Sequence, residues 1–435
     1  MNISSPSAFI ARDDETNKND DIKYSIKRSK LEGTVKVSGA KNSVLRLLAA
    51  SILTSDTLEL SNYPASLRDA QVHLGMLEAL GKRCDVSDEH CVIHQDDGSL
   101  NSYLDWNGRS IRNTLLILGA LVAKTGSGAV PLPGGCKLGE RKYDLHVMIL
   151  ETLGARVFDD DTHLQAEAEN GLIGADIVLP MRSTGATENA ILCGSLAKGK
   201  TTIWGPHIRP EIIDLIDMLN KMGADIKVFG QERIEINGVE ALSGTSHRVI
   251  PDNMEALTWM IGATLTGGDI EIIDFPFDHL DVPLAFLRES GTEYYRKDNS
   301  VIVRGGCCYP VEISTGPYPG INSDMQPLFA IYGALAKGES RIIDLRFPGR
   351  YVYAEELAKM GVQFEVEDNL LKIKGGTKLA GNTVRATDLR AGIALTLAGC
   401  VADGETILEE AWQVERGYNQ FVEKIRSLSG NVQII

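Results

Sequence analysis

The chain has 435 residues, 43% hydrophobic and 24% charged, so it is long enough for two or three folded domains and is not disordered. Its 44 basic and 59 acidic residues give a net charge of −15, which argues against nucleic acid or an anionic membrane as the main partner. The seven cysteines lack the spacing of a disulfide framework and the eight histidines lack ligand spacing, so we expect a reducing, cytoplasmic location and no metal site.

Residues 1–22 are predicted to form a polar, disordered N-terminal extension. Their sequence, MNISSPSAFIARDDETNKNDDI, lacks the apolar stretch of a signal peptide. The longest apolar run of the chain, from Leu115 to Ala123, is far shorter than the roughly 20 residues that span a bilayer. We therefore expect neither a secretion signal nor a membrane span.

A repeat of about 70 residues organises the rest of the chain. An amphipathic helix that runs into a turn and then a strand recurs every 68 to 73 residues, with the turn at Gly81, Gly154, Gly223, Gly291, Gly361 and, in the sixth copy, Ser429. A second pattern, a helix of small residues followed by a glycine turn and a strand, keeps the same period at Gly199, Gly267, Gly338 and Gly404. The period is too long for a solenoid unit and predicts six small α/β subdomains in a symmetric enzyme scaffold.

The first candidate site residues are Lys41 and Asn42, which follow a predicted strand and turn and are expected to begin a helix. Backbone N–H groups and the helix dipole favour an anion at such a position. A solvated lysine beside a capping asparagine is the simpler interpretation on local grounds. Further along, Arg109 and Arg112 are three residues apart and are predicted to share one helix face, where an exposed basic surface would explain them equally well.

The segment VPLPGGCKLGERKYDLH is the most specific of the chain. Two prolines stiffen its start, and two glycines allow a mobile loop. Cys136 is followed by Lys137, Arg141 and Lys142, and adjacent cations favour the reactive thiolate form of a cysteine. A reactive cysteine is therefore predicted at Cys136, with a bystander loop thiol as the alternative.

Two segments near residue 190 invite a phosphate-binding interpretation. Ser183, Thr184 and Gly185 precede a predicted helix, where they could hold a phosphate, although a helix cap is the simpler role. The next segment, GSLAKGKT, matches the P-loop pattern, but that motif needs a strand before it and a helix after it. Here a helix precedes and a strand follows, so we reject a nucleotide-phosphate site and expect Gly199 to cap a helix.

The C-terminal half contributes one acid and several arginines. Asp324 begins an apolar helix in SDMQPLFAIYGAL, and Arg350, Arg390 and Arg416 lie near predicted turns. Each arginine would be ordinary alone. Several of them in an acidic chain suit a ligand that carries both a carboxylate and a phosphate, because the planar guanidinium binds such groups in a bidentate manner.

Together these segments resemble the enolpyruvyl transferases, and within that family the enzymes that act on UDP-N-acetylglucosamine. The resemblance runs from about Ile22 to the end and rests on SGAKN, LPGGC, Asp-Leu-His, Ser-x-Gly-Ala-Thr, SDMQ, ATDLR and RGY. The sister enzymes that make 5-enolpyruvylshikimate 3-phosphate have Lys-Ser in place of Lys41-Asn42 and lack the LPGGC loop, which sets them apart from this chain.

The resemblance implies an α/β fold of two domains, an inside-out α/β barrel built from six βαβαββ-type repeats with helices inside and sheets outside. One domain would span residues 41–250 and carry the cysteine loop. The other would join residues 23–40 to residues 251–435. The two would form a hinged cleft, the usual place for ligands.

The resemblance also implies a reaction: transfer of the enolpyruvyl group of phosphoenolpyruvate to the 3-hydroxyl of UDP-N-acetylglucosamine with release of phosphate, the first committed step of peptidoglycan synthesis, without metal or cofactor. Asp324 would be the general base and Cys136 the proton donor. Phosphate would be held by Lys41, Arg141 and Arg416, and the carboxylate by Arg350 and Arg390. The positions implied for the nucleotide sugar are Asn42, Arg112, Asp144, Leu145, His146, Ser183, Thr184 and Gly185.

The chain departs from the family pattern at Lys142, Tyr143, Asn253 and Tyr353, which replace residues at the nucleotide and sugar end. These changes leave open a paralogue that transfers to another nucleotide hydroxyl, such as that of UMP. A catalytically silent nucleotide-sugar sensor is a further alternative. The joint presence of a base, a proton donor and the arginines argues against the sensor, because a sensor needs no base.

Overall fold

The structure is a computed structural model that describes residues 21–96, 98–132, 143–347 and 349–435. The predicted extension, except for its last two residues, and the predicted cysteine loop therefore lie outside the described residues. Within these ranges, no helix has both the length and the apolar character that crossing a bilayer requires.

The strands alternate between buried and exposed residues, as expected for sheets with one face against a core. In chain order the described strands are β1 (Tyr24–Lys27), β2 (Glu32–Lys36), β3 (Leu58–Ser61), β4 (Lys82–Ser87), β5 (His90–Gln95), β6 (Ser127–Pro131), β7 (Arg156–Asp159), β8 (His163–Glu167), β9 (Asp176–Val178), β10 (Lys200–Trp204), β11 (Asp225–Phe229), β12 (Arg233–Asn237), β13 (Thr245–Arg248), β14 (Asp269–Ile273), β15 (Glu293–Arg296), β16 (Ser300–Arg304), β17 (Glu312–Ser314), β18 (Glu339–Ile343), β19 (Gln363–Glu367), β20 (Leu370–Lys374), β21 (Thr383–Arg385), β22 (Glu405–Glu409) and β23 (Asn431–Ile434).

The helices fall between these strands in a regular order. The described α-helices are α1 (Lys41–Ala50), α2 (Arg68–Ala79), α3 (Thr114–Thr125), α4 (Asp144–Thr152), α5 (Thr184–Leu196), α6 (Pro210–Lys221), α7 (Asn253–Thr266), α8 (Asp281–Glu289), α9 (Gln326–Leu335), α10 (Val352–Lys359), α11 (Leu389–Val401), α12 (Trp412–Glu415) and α13 (Phe421–Ser427).

The chain forms two compact units. The first contains Gly39–Ile250, and the second joins the segment that ends at Ser38 to Pro251–Ile435. In the second unit β1 pairs with β22 and β23, and β2 pairs with β14, so the N-terminal strands complete sheets built from the far end of the chain.

The same sheet plan recurs through both units. Five sheets of the described residues have four strands, with one parallel pair followed by two antiparallel pairs, in the orders β13-β3-β5-β4, β9-β10-β12-β11, β2-β14-β16-β15, β17-β18-β20-β19 and β21-β22-β1-β23. The sixth, β6-β8-β7, keeps the antiparallel part, and a single parallel bridge from Tyr103 to Ala129 stands where the fourth strand would pair. The predicted α/β class and its sixfold repeat are confirmed.

The core of each unit is made by helices that are buried on nearly all sides. In α11, every residue from Arg390 to Cys400 is buried, and in α7 every residue from Asn253 to Thr264. Helices α3 and α5 fill the first unit in the same way. A helix that is apolar around its whole circumference belongs in a core, so helices lie inside and sheets outside within each unit.

The glycines that mark the repeat adopt backbone conformations that only glycine reaches without steric cost. Each has a positive φ angle, and the sixth copy keeps the conformation without a glycine: Gly81 at 96°, Gly154 at 90°, Gly223 at 103°, Gly291 at 95°, Gly361 at 107° and Ser429 at 64°. The repeat thus reflects a backbone requirement at the end of each amphipathic helix.

The segment that resembles a P-loop joins α5 to β10, so the predicted order of helix then strand is confirmed. The prediction that Gly199 caps the helix is wrong. The cap is Ala197, and Gly199, with φ of 93°, lies in the turn that leads into β10.

Replacing Gly361 with alanine is expected to lower the free energy of unfolding by about 1 kcal/mol. A positive φ costs a residue with a Cβ about 1–2 kcal/mol, partly offset by a less flexible unfolded chain. The new Cβ would come no closer than 3.6 Å to the Lys378 carbonyl oxygen, so the effect should come from the backbone. Urea unfolding measures the change.

Gly316→Ala is the matched control in the same unit, because Gly316 lacks a positive φ and its added Cβ meets nothing within 4 Å. This variant should be as stable as the parent or slightly more stable. Equal stability of the two variants would show that the repeat glycines serve no conformational purpose.

Candidate functional site

Helix α1 begins at Lys41, as predicted from the sequence. The Lys41 side chain is buried, and its ammonium lies 2.8 Å from an Asp69 carboxylate oxygen in the first turn of α2. Sequence analysis did not single out Asp69, because an acid in the first turn of a helix is common. An anion that binds at the start of α1 would share Lys41 with this carboxylate.

A second buried ion pair lies behind Asn42. Arg46 donates one guanidinium N–H to the Asn42 carbonyl and another to the Glu188 carboxylate. Burial raises the pKa of Glu188, although the Arg46 charge opposes this effect. Since Glu188 belongs to α5, the pair fastens the first turn of α1 to the helix that starts with Thr184 and Gly185.

The structure brings Arg112, Asp144, His146 and Gly185 together. His146 is the third residue of α4, and a Cβ on Gly185 would lie only 3.2 Å from its Nε2 atom, so glycine makes room for the ring. Burial, together with the nearby Arg112 charge, lowers the pKa of His146 to about 4, although the Asp144 charge opposes the shift. His146 is therefore a neutral hydrogen-bonding group at pH 7, and its buried Nδ1 has no partner among the described residues.

The predicted helix face shared by Arg109 and Arg112 is wrong. Helix α3 begins only at Thr114, so both arginines precede it. The Asn113 side chain donates to the Leu45 carbonyl at 2.8 Å and contacts His73 Nδ1 at 2.9 Å, and these bonds hold the segment before the helix.

Ser183 and Thr184 occupy the start of α5. Ser183 is the cap, since its hydroxyl accepts from the Ala186 N–H at 3.4 Å, which confirms the simpler of the two predicted roles. The Thr184 hydroxyl lies 2.8 Å from His207 Nδ1. Leu145, the second residue of α4, is half-buried, and Asp144 before it is exposed.

In the second unit, Asp324 is held between two arginines. It lies in a short 3₁₀ turn, Ser323–Met325, directly before α9. One carboxylate oxygen is 2.9 Å from Arg350 Nη1, and the other is 3.3 Å from Arg390 Nε. Asp324 keeps 29% of its side chain exposed while the two arginines keep 9% and 2%, so a ligand can reach the carboxylate.

Each of these arginines has an unused N–H group. Burial alone would lower the pKa of both guanidinium groups, but Asp324 raises it again, with Asp388 adding to the effect at Arg350, and both stay charged. Arg350 Nε and Arg390 Nη1 are buried and have no hydrogen-bond partner among the described residues. An unpaired buried donor is costly, so these two N–H groups are suited to an anionic ligand.

The Asp388 side chain links the same cluster to the start of helix α11. It caps α11 by accepting the Arg390 and Ala391 N–H groups, at 2.7 Å and 2.9 Å, and it lies 3.3 Å from Arg350 Nη2. The cap fixes the start of the helix that carries Arg390.

Arg416 follows α12, where its Nη1 donates to Gln413 at 3.0 Å and its guanidinium lies 5.9 Å from the Trp412 ring centre.

Some residues predicted from the sequence cannot be placed, and two of the departures from the family pattern are buried. Cys136, Arg141 and Lys142 lie outside the described residues. Of the other departures from the family pattern, Tyr353 is buried with its hydroxyl donating to Gln326 Oε1 at 2.7 Å, and Asn253 is a buried residue at the start of α7.

Comparison with known proteins identifies a family. A family model described as EPSP synthase (3-phosphoshikimate 1-carboxyvinyltransferase) matches residues 26–425. The chain is 39% identical over 403 residues to UDP-N-acetylglucosamine 1-carboxyvinyltransferase 1 of Caldanaerobacter subterraneus subsp. tengcongensis, covering 92% of this chain and 96% of the relative. It is 37% identical over 410 residues to UDP-N-acetylglucosamine 1-carboxyvinyltransferase of Finegoldia magna, covering 93% and 96%.

Solved structures agree with the observed fold. The enolpyruvyl transferase NikO from Streptomyces tendae matches with a TM-score of 0.85 and 26% identity, covering 95% of this chain and 99% of that one. An EPSP synthase from Acinetobacter baumannii matches with a TM-score of 0.72 over 95% and 100% of the two chains, and its 18% identity supports the fold alone. The expected enolpyruvyl transferase fold is confirmed.

The His146 environment predicts a titration midpoint near pH 4, well below the value of about 6.5 for an exposed histidine. The folded pKa is lower than the unfolded one, so protonation favours unfolding, and this group removes stability as the pH falls from about 6.5 toward 4. NMR of ¹³C-labelled histidine rings, assigned with His146→Asn, measures the midpoint. A midpoint above 6 would contradict the buried, Arg112-facing position.

Proposed function

The chain belongs to the EPSP synthase (3-phosphoshikimate 1-carboxyvinyltransferase) family of enolpyruvyl transferases, and we propose that it transfers the enolpyruvyl group of phosphoenolpyruvate to the 3-hydroxyl of UDP-N-acetylglucosamine. Phosphate is released, and the product begins peptidoglycan synthesis. The observation that carries the chemistry is the partly exposed Asp324 carboxylate between two buried arginines that each keep an unused N–H. The printed names of relatives at 37–39% identity support the acceptor.

The proposed reaction is an addition followed by an elimination. The acceptor hydroxyl loses its proton as its oxygen bonds to C2 of phosphoenolpyruvate, and C3 gains a proton to become a methyl group. The resulting ketal then loses a proton from that methyl group while the bond from C2 to the phosphate oxygen breaks. The double bond is restored, and inorganic phosphate leaves.

Asp324 is the proposed general base. Its partial exposure lets it reach a substrate hydroxyl, and its two arginine partners favour the ionised form that a base needs. Arg350 and Arg390 are the proposed carboxylate ligands, because each offers a buried N–H that nothing else in the described residues uses. The same two arginines would hold the substrate carboxylate beside the base.

The phosphate of phosphoenolpyruvate carries a charge of about −1.5 to −2 and needs several cations. The proposed ligands are Lys41, Arg141 and Arg416. Lys41 is supported by its place at the start of α1, where backbone N–H groups add to its charge. The proposed proton donor to C3 is Cys136.

The acceptor is proposed to lie against residues of the first unit. Arg112 and the start of α5, with Ser183, Thr184 and Gly185, offer a charge and backbone N–H groups for the diphosphate. Asp144, Leu145 and neutral His146 would face the uridine, and the Asn42 amide is proposed to bind the sugar.

The alternative acceptor, another nucleotide hydroxyl such as that of UMP, gains no support. Two of the four departures that suggested it, Tyr353 and Asn253, are buried inside their own unit, where Tyr353 bonds to Gln326. They are therefore explained by packing and internal hydrogen bonding, without a change of acceptor.

A panel of acceptors tests the proposal. With saturating phosphoenolpyruvate, we would measure phosphate release with UDP-N-acetylglucosamine, UDP-glucose, UDP and UMP. A site that hydrogen-bonds one sugar rejects analogues lacking the bonded group by orders of magnitude, so UDP-N-acetylglucosamine should give a kcat/KM at least about 100-fold above the others.

Two outcomes would contradict the proposal in different ways. A higher kcat/KM with UMP would overturn the acceptor and leave enolpyruvyl transfer standing. No phosphate release with any member of the panel, by a protein that still binds UDP-N-acetylglucosamine, would favour the silent sensor.

A further inference from the structure

We propose that Tyr353 is a positioning residue for the Asp324 turn and for Arg350, and that it acts through the amide of Gln326. This inference rests on the proposed function, since its effect is on the groups assigned to the base and to the substrate carboxylate. Tyr353 itself would touch no reacting atom. Its hydroxyl determines which way the Gln326 amide points.

The contact between the two side chains is buried and short. The Tyr353 hydroxyl donates to Gln326 Oε1 at 2.7 Å, and Gln326 is fully buried at the first position of α9. Burial raises the pKa of Tyr353 well above its usual value, so the hydroxyl keeps its proton and remains a donor throughout the physiological range. Gln326 follows Asp324 by two residues.

The other end of the Gln326 amide holds the candidate site. Its Nε2 donates to an Asp344 carboxylate oxygen at 2.9 Å and to the Arg350 backbone carbonyl at 3.1 Å. A glutamine amide can turn over and exchange its oxygen and nitrogen. The Tyr353 donor opposes that exchange, because a turned amide would face the hydroxyl with N–H groups and face Asp344 and the Arg350 carbonyl with an oxygen.

Asp344 carries the effect on to the Asp324 turn. The oxygen that accepts from Gln326 also accepts from the Ser323 hydroxyl, at 2.5 Å. Arg350 Nη1 in turn lies 3.3 Å from Ser323 Oγ and 2.9 Å from the Asp324 carboxylate. The backbone of Arg350 and the residue before Asp324 are thus held by the same amide and acid.

The second Asp344 oxygen anchors the loop that leads to Arg350. It accepts from the Thr315 hydroxyl at 2.8 Å and from the Arg346 and Phe347 N–H groups, both at 2.9 Å. All acceptor positions of Asp344 are in use, so its carboxylate cannot move to avoid the oxygen of a turned Gln326 amide without breaking other hydrogen bonds. Loss of the Tyr353 hydroxyl should therefore shift Arg350 and the Asp324 turn and leave the rest of the loop in place.

The test compares two tyrosine-to-phenylalanine variants. Tyr353→Phe keeps the ring and removes the hydroxyl. The matched control is Tyr332→Phe. Tyr332 is likewise buried, lies on α9, the helix that Gln326 begins, and donates to the Ser290 carbonyl at 2.6 Å, without a bond to the candidate site. Thermal unfolding should report a similar loss of stability for both.

Steady-state kinetics of phosphate release separates positioning from packing. Tyr353→Phe should lower kcat by about 10- to 100-fold, the range expected from a small misplacement of catalytic groups, with less than about threefold change in either KM. Tyr332→Phe should keep kcat within about twofold of the parent. Equal kcat values for the two variants would overturn the proposal, as would a change in KM alone.

A double-mutant cycle tests the route through the amide. If Tyr353 acts through Gln326, then Tyr353→Phe should add nothing to Gln326→Met, and the double variant should match the slower single variant. Additive losses in log kcat would show that Tyr353 acts by another route. A parent protein without turnover would refute the proposed function itself, an outcome distinct from both.

Discussion

The arrangement of the second unit depends on one constraint: buried charges must be paired. Arg390 is almost fully buried and Arg350 nearly so. Both pair with the single carboxylate of Asp324, and Asp388 is a second partner for Arg350. Removing one partner of a buried pair typically costs about 3–5 kcal/mol. The pairing therefore holds a turn, a loop and a helix start together, and it places a reachable carboxylate beside two cations.

The same rule resolves an apparent conflict in the composition. A chain with net charge −15 is proposed to bind a substrate with two anionic groups. Several of its described buried and partly buried cations pair with an acid: Lys41 with Asp69, Arg46 with Glu188, and Arg209 with Glu211 at 2.6 Å. We expect an anion that binds at Lys41, Arg350 or Arg390 to compete with the internal carboxylate already paired there. The internal pairing avoids a buried unpaired charge before the anion binds.

The features that sequence predicted well are local. The repeat glycines, the start of α1 at Lys41 and the Ser183 cap each depend on neighbouring residues, whose preferences a sequence displays. Features that depend on distant residues were missed: Asp324 meets partners 26 and 66 positions away, and Tyr353 meets Gln326 27 positions away. The predicted Arg109–Arg112 helix face was wrong, since the helix begins only at Thr114, and the residue before it, Asn113, bonds to Leu45, 68 residues earlier. The residue roles came from resemblance to a family.

The most direct measurement is steady-state kinetics of Asp324→Asn beside Arg416→Ala, with both substrates varied. Asp324→Asn is expected to lower kcat about 10²–10⁴-fold, the usual range for a lost general base. Its KM for phosphoenolpyruvate should be unchanged or lower, because a competing carboxylate is gone from Arg350 and Arg390. Arg416→Ala should instead raise that KM. A kcat of Asp324→Asn within about threefold of the parent, or an equal rise of the phosphoenolpyruvate KM in both variants, would contradict the role of Asp324 as the base between Arg350 and Arg390.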